Sequence, residues 1–241
     1  MTSTTSERMV LRAELLHKAR HIVAHTTELS QRSVFVRTDE RLAIGDVVGL
    51  KLSFPRLLAP LELEGHVVAT DPGLGHGYAA GVTIELVGAT EVHDRLARLL
   101  DDLDTIDTAA SGTFRILVVE DSALMRDFIQ LGAARFTRGA VQVAVETVDT
   151  AEQALELDAQ QYDLVLVDLY LPGSMDGAAL VRKLREKQPD LPVIGFSVGG
   201  EVARIAFLSA GADLFLDKPV MVKDVFSTLE RLTLMRARRT A

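Results

Sequence analysis

Apolar positions follow two different rhythms along this chain. Up to residue 86 they come in short stretches where apolar and polar residues alternate. In the run 46–54, Val48, Leu50, Leu52 and Phe54 fall on one face, as in a half-buried strand. The β-branched and aromatic run 33–37, the run 61–69 and the run 78–86 read as further strands. Asp39-Glu40 marks a turn, Pro55 and Pro60 bound a loop, and the Gly73 to Gly77 region is another turn. Residues 9–27 fit either a short helix followed by a strand or a hairpin turning near Lys18-Ala19. We read strands from about 10 to 28. Short strands separated by turn signals predict a small antiparallel barrel. Val92, Leu96, Leu99, Leu100 and Leu103 then take helical spacing over 90–103.

From residue 114 the rhythm changes. Solid apolar runs at 114–119, 141–145, 163–167, 192–196 and 214–217 predict buried parallel strands. Each is followed by a helical pattern, at 122–133, 150–160, 177–187, 200–210 and 221–235. Met125, Phe128 and Ile129 keep helical spacing in the first of these, Ser122 is its N-cap, and Gly211 fits a helix C-cap. The chain therefore divides into a tail (1–8), a β-barrel with a C-terminal helix (9–104), a small polar linker (105–112), an α/β domain (113–236) and a second tail (237–241).

Four strands of the second half end in residues that carry chemistry. The first runs into Glu120-Asp121, the third into Asp168, the fourth into Ser197, and the last into Asp217-Lys218-Pro219. The carboxyl edge of an open α/β sheet is where ligands bind. A lone Asp168 would read as a strand-end cap, but here it has company. Glu120, Asp121 and Asp168 offer hard oxygens suited to Mg²⁺. Lys218 supplies positive charge for phosphoryl oxygens, Ser197 a hydrogen bond, and Asp168 a carboxylate nucleophile of the kind that forms acyl phosphates. Phosphoryl transfer asks the protein mainly for position and charge.

With these residues in order, 113–236 resembles a response-regulator receiver domain, the phosphoacceptor module of two-component signalling. Glu120-Asp121 match its acidic pair, Asp168 its phosphoacceptor, Ser197 its hydroxyl switch, Lys218-Pro219 its lysine-proline pair, and Phe215 its aromatic switch. The resemblance implies a doubly wound parallel sheet in order 2-1-3-4-5 with five helices, and a cis bond before Pro219. It also implies a phosphodonor, either a histidine kinase or a phosphotransfer protein, and a bacterial, cytoplasmic setting. The implied output is a homodimer through the face of the fourth helix, fifth strand and fifth helix, or an altered contact with the barrel and an unidentified downstream protein. The chain departs from the family in two places: Gly173-Ser174 adds a residue to the loop after Asp168, and Val198 follows the switch serine where a smaller residue is common.

Composition narrows the partners. The chain is 48% apolar and 25% charged, a globular mixture, and has no cysteine for disulfides or thiolate metal sites. No apolar run approaches a membrane span, and the start lacks a secretory pattern. Residues 1–111 carry 11 basic against 16 acidic residues, and 112–241 carry 15 against 18. Neither half has the basic excess of a DNA-binding domain, and no helix-turn-helix is expected after the last helix. No second catalytic constellation is evident, so the chain is read as a signalling phosphoprotein and not an enzyme.

The first half is similar to a PilZ domain, a barrel that in many bacteria binds cyclic di-GMP. The resemblance rests on the strand rhythm, on 28–33 followed by Val-Phe-Val-Arg-Thr, and on Gly81-Val-Thr-Ile. Arg8-x-x-x-Arg12, Glu28 and Ser30 stand where the family's nucleotide ligands would be. Glu28 replaces a shorter Asp or Asn, Ser33 replaces a glycine, and Glu28 follows Arg12 by only 16 positions. These departures favour a protein-interaction barrel over a cyclic di-GMP receptor. A constitutive scaffold and a cyclic di-GMP effector are the alternatives to a phosphorylation relay. His17, His21 and His25 recur every four residues; they read as solvated or half-buried histidines, with a metal site as the sharper alternative.

Overall fold

The computed structural model describes residues 6–54, 58–73, 80–88, 94, 96–101, 112–135, 141–218, 224–229 and 231–232. By contacts the chain divides into two compact units: Met1–Asp107 with Ser227–Ala241, and Thr108–Phe226. The sequence reading carried the second domain to residue 236; in the structure, residues from Ser227 onward group with the first.

The first unit is a closed antiparallel barrel. Its strands are β1 (Glu7–Arg8), β2 (Arg12–His17), β3 (Arg20–Leu29), β4 (Ser33–Arg37), β5 (Val47–Phe54), β6 (Leu58–Asp71) and β7 (Gly81–Val87). They run β3-β2-β5-β6-β7-β4, and β4 pairs back onto β3 to close the ring. β1 lies on β3 at Glu28 and Leu29, continuing the line of β2 after a break at residues 9–11. Two residues expected in the first tail, Glu7 and Arg8, are thus a strand; a two-residue pairing has no period to detect. The predicted alternation of β5 holds, with Val48, Leu50, Leu52 and Phe54 all buried. Pro60 does not bound a loop. It lies inside β6, beside the bulge where the pairing shifts between Leu52↔Leu61 and Phe54↔Leu58. A bulge tolerates the missing amide that a regular ladder would not.

The hairpin reading of 10–28 is correct, and its two-residue turn is unusual. Lys18 and Ala19 have φ of 49° and 63°, the left-handed region that such turns demand and that glycine or asparagine normally fills. Leu96, Leu99 and Leu100 are buried on the helical stretch 96–101, as their spacing predicts. Val92, Leu103, Pro55, Tyr78, most of the linker and Pro219 lie outside the described residues.

The second unit is a five-stranded parallel sheet: β8 (Gly112–Val119), β9 (Val141–Val148), β10 (Leu164–Val167), β11 (Val193–Ser197) and β12 (Leu214–Asp217). The order β9-β8-β10-β11-β12 is the expected 2-1-3-4-5. Its helices are α1 (Ala123–Arg135), α2 (Ala151–Glu156), α3 (Gly177–Lys187) and α4 (Gly200–Ser209). The expected last helix is represented by helical residues 224–229 and 231–232. Gly112, expected in the linker, already pairs with Val141 as the start of β8. The helix expected over 150–160 stops at Glu156. Leu157 is extended (φ −79°, ψ 149°), and a short 3-10 turn at Ala159–Gln161 follows, capped by Asp158. β10 is buried along its whole length, as its unbroken apolar run requires. Replacing Ala19 by glycine is expected to stabilise the barrel by about 1 kcal/mol, because it removes a left-handed penalty at a non-glycine residue. A higher urea midpoint at unchanged slope is the readout.

Candidate functional site

Parallel pairing brings four strand ends to one edge. Val119 lies opposite Val167, Val167 opposite Gly195, and Ser197 opposite Asp217. The hydrogen bonding continues one residue past the strands. Asp168 N–H donates to Val119 O (2.9 Å), Glu120 N–H to Val148 O (3.0 Å) and Lys218 N–H to Ser197 O (2.9 Å). The backbones of the three charged residues are therefore as fixed as the sheet itself.

Glu120 and Asp168 are buried, with 2% and 6% exposure, while Asp121 is exposed. One carboxylate oxygen from each of the three lies within 4.8 Å of the other two. The Lys218 ammonium, itself nearly buried, donates to Glu120 Oε2 and to Asp168 Oδ2, both at 2.5 Å. It also sits 4.9 Å from the centroid of the Phe196 ring. Burial raises the Glu120 carboxyl above its usual range; the Asp168 charge adds to this and Lys218 opposes it. Three hard oxygens in reach of one another suit Mg²⁺, which takes oxygen ligands. Ser197 Oγ is fully buried and has no hydrogen-bond partner among the described residues. Phe215 is buried and stacks on Phe207, with centroids 5.9 Å apart. Every site residue expected in this half is thus at the edge or in the strand leading to it.

Three supports escaped the sequence reading. Arg126 on α1 donates through Nη1 to the carbonyls of Glu120 (2.7 Å) and Asp121 (2.9 Å), stapling the acidic pair. A Cβ on Gly177 would lie 2.0 Å from the Asp168 carbonyl oxygen, so only glycine lets α3 begin so close to the end of β10. Glu152 on α2 accepts from Ser174 N (2.9 Å) and Ser174 Oγ (2.6 Å), and these bonds hold its carboxyl below the usual range. The extra residue after Asp168 is thereby anchored, with Gly173 in the left-handed region at φ 110°. Val198 is 69% exposed, and Tyr170 Oη would be 3.0 Å from a Cβ on Gly199.

The residues singled out in the barrel are less convergent. Arg8 lies across from Glu28 on β1 and β3. Arg12 lies across from His25, and its Nε bonds Glu14 Oε1 at 3.0 Å. Ser30 is buried, and its Oγ accepts from Ser33 N (2.9 Å) and Arg32 N (3.3 Å), closing a turn. Ser33 is not among the residues with positive φ, so serine meets no strain there. The three histidines part company. His17 is buried with Nε2 3.2 Å from Asp46, and His21 is exposed with Nε2 3.0 Å from Glu14. His25 lies across from Arg12 and Arg37, and burial and Arg37 push its pKa down to about 4. The one acidic or histidine group gathered for a metal among the described residues is Glu120, Asp121 and Asp168.

Comparison with known proteins agrees with this division. Residues 6–102 match the PilZ domain, and residues 116–230 match the response regulator receiver domain. The chain joins a PilZ domain to a receiver domain. The transcriptional regulatory protein PhoP of Escherichia coli K12 is 33% identical over 123 residues, covering 49% of this chain and 51% of that protein. The virulence transcriptional regulatory protein PhoP of Shigella flexneri shows the same identity and coverage. The chain spans about half the length of these curated relatives. Among solved structures, the non-phosphorylated HemR receiver domain of Leptospira biflexa is 29% identical, covering 49% of this chain and 93% of its own, with a TM-score of 0.42. A CheY-like receiver domain protein of Methanospirillum hungatei is 24% identical, covering 54% of this chain and 100% of its own, with a TM-score of 0.44. Among the described residues no helix is long and apolar enough to cross a membrane.

Two outcomes are expected of the receiver site. Gly177→Ala drives a methyl into the Asp168 carbonyl and is expected to destabilise the receiver by about 1–3 kcal/mol in urea unfolding. Glu120→Gln is expected to raise the urea midpoint at pH 7. The raised carboxyl pKa stabilises the fold below the unfolded-state value of 4.5 and loses that contribution as pH climbs through the folded value. The gain from Glu120→Gln therefore shrinks as pH falls towards 4.5.

Proposed function

We propose that this chain is a two-component response regulator that accepts a phosphoryl group on Asp168 and relays the change to its PilZ domain. The observation that carries the reading is the Lys218 ammonium held between two buried carboxylates, 2.5 Å from each. A carboxylate in that setting is positioned and charge-compensated, while the neighbouring Ser197 hydroxyl has a hydrogen bond still to make.

The residues divide the work. Asp168 attacks the phosphorus of a phosphohistidine or similar donor; the Oδ–P bond forms, the P–N bond breaks, and the imidazole leaves with a proton. Glu120, Asp121 and Asp168 would hold Mg²⁺, which neutralises phosphoryl oxygens when bound. Lys218 exchanges its bond to Asp168 for one to the phosphoryl group. Ser197 Oγ donates to a phosphoryl oxygen, and this draws the end of β11 inward. Phe215, one strand over and already buried, holds the altered packing. The change reaches α4, whose Val202 and Ile205 stand 72% and 54% exposed and offer an apolar face to a second copy or a partner. The donor is a histidine kinase or phosphotransfer protein. The PilZ domain acts as a protein-interaction barrel: Arg12 is bonded to Glu14, and Ser30 is committed to its own turn.

Acetyl phosphate with Mg²⁺ is expected to label the parent protein with phosphate that hydroxylamine releases, as an acyl phosphate requires, and to leave Asp168→Asn unlabelled. Persistent labelling of Asp168→Asn, or none of the parent, would contradict the reading.

A further inference from the structure

Residues Met9, Val10 and Leu11 lie between β1 and β2, outside the regular ladder, so each of their amides needs an acceptor of its own. Met9 N–H donates to Thr27 O at 3.1 Å. Leu11 N–H donates to Thr26 Oγ1 at 2.9 Å, and that hydroxyl donates in turn to Met9 O at 2.6 Å. Val10 has a different arrangement. Its amide donates to Thr228 Oγ1 at 2.9 Å, from the helical residues at the end of the chain. Val10 is 3% exposed and Thr228 is fully buried, so without Thr228 the Val10 amide would be buried and unsatisfied, a costly arrangement. One helical turn further on, the Arg231 guanidinium pairs with the Glu7 carboxylate, and both side chains are 18% exposed. Glu7 and Val10 flank Arg8, and Val10 is followed shortly by Arg12.

The helical residues that supply these groups straddle the division of the chain. Phe226, fully buried, is the last residue of the receiver unit, and Ser227 is the first to group with the barrel. The barrel therefore takes the hydrogen-bond acceptor for a buried amide from the stretch that follows β12 and Lys218.

We propose that Thr228 and Arg231 form a clasp on the Glu7–Val10 segment, by which the helical stretch that follows β12 completes the PilZ barrel and sets the conformation of the stretch bearing Arg8 and Arg12. The clasp itself is independent of phosphorylation; its use as a control rests on the phosphoacceptor reading above. A small shift of the helix withdraws the Thr228 hydroxyl and leaves the Val10 amide without an acceptor. The arginine stretch is thus sensitive to where the helix stands.

Amide hydrogen exchange on the full chain tests both parts. Thr228→Val keeps the shape and removes the acceptor; exchange at Val10 is expected to quicken roughly fivefold. Arg231→Glu is expected to speed exchange over residues 7–10, and the charge swap Glu7→Arg with Arg231→Glu to restore it. Protection in β8 and β10 should stay at the parent level in every variant. Unchanged exchange over 7–10 in both single variants, or no recovery in the charge swap, overturns the clasp. A second arm adds beryllofluoride with Mg²⁺ to the parent protein. Altered exchange in both 193–197 and 7–10 supports control through the helix. A change in 193–197 with none in 7–10 overturns that control. No change in 193–197 rejects the phosphoacceptor reading and the control with it, and the clasp is then judged by the single variants and the charge swap.

Discussion

Two buried carboxylates, Glu120 and Asp168, share one ammonium at the edge of a parallel sheet, and much of the receiver is arranged to make that tolerable. Buried charge is expensive unless paired, and removing the ammonium would leave both carboxylates uncompensated, a loss that typically costs about 3–5 kcal/mol. Lys218 must therefore arrive at a fixed place, which β12 and the hydrogen bond from Lys218 N to Ser197 O ensure. Asp168 must stand at the end of a fully buried strand, which needs Gly177 at the start of α3, where a methyl would meet the Asp168 carbonyl. Glu120 must be presented by a turn, which Arg126 staples from α1. The burial that makes the pairing necessary also raises the Glu120 carboxyl and keeps Ser197 Oγ away from water. Two carboxylates against one ammonium leave the site with negative charge to spare, which favours an added cation.

The barrel solves a different problem. Ring closure leaves its strands without long free edges, the liability of open sheets. What remains to be satisfied is the short break between β1 and β2. Two of its three amides are answered from β3 and one from the far end of the chain. The unit that matches the PilZ domain over 6–102 is therefore completed by a residue well outside that range.

Much of this was legible in the sequence where a local pattern carries the information. Solid apolar runs read correctly as parallel strands, and β12 and α3 fall where the pattern placed them, because burial and helical spacing leave local traces. Glu120, Asp121, Asp168, Ser197 and Lys218 were visible because each stands within two residues of the end of an apolar run. Features decided by pairing between distant segments were not visible. Pro60 argued for a loop, yet a bulge in β6 itself, three residues against two of β5, accommodates it. Glu7 and Arg8 form a strand too short to show a period. Glu152 looks like any exposed helix residue until Ser174 is seen beside it. Thr228 looks like an unremarkable helix residue until the orphan amide of Val10 is found.

The most direct test of the account is chemical location of the phosphoryl group. The protein is incubated with acetyl phosphate and Mg²⁺, reduced with borohydride, digested and sequenced by mass spectrometry. Reduction of an aspartyl phosphate gives homoserine, so the account predicts homoserine at position 168 and at no other aspartate. Homoserine at another position, or aspartate retained at 168 while the protein carries phosphate, would contradict it.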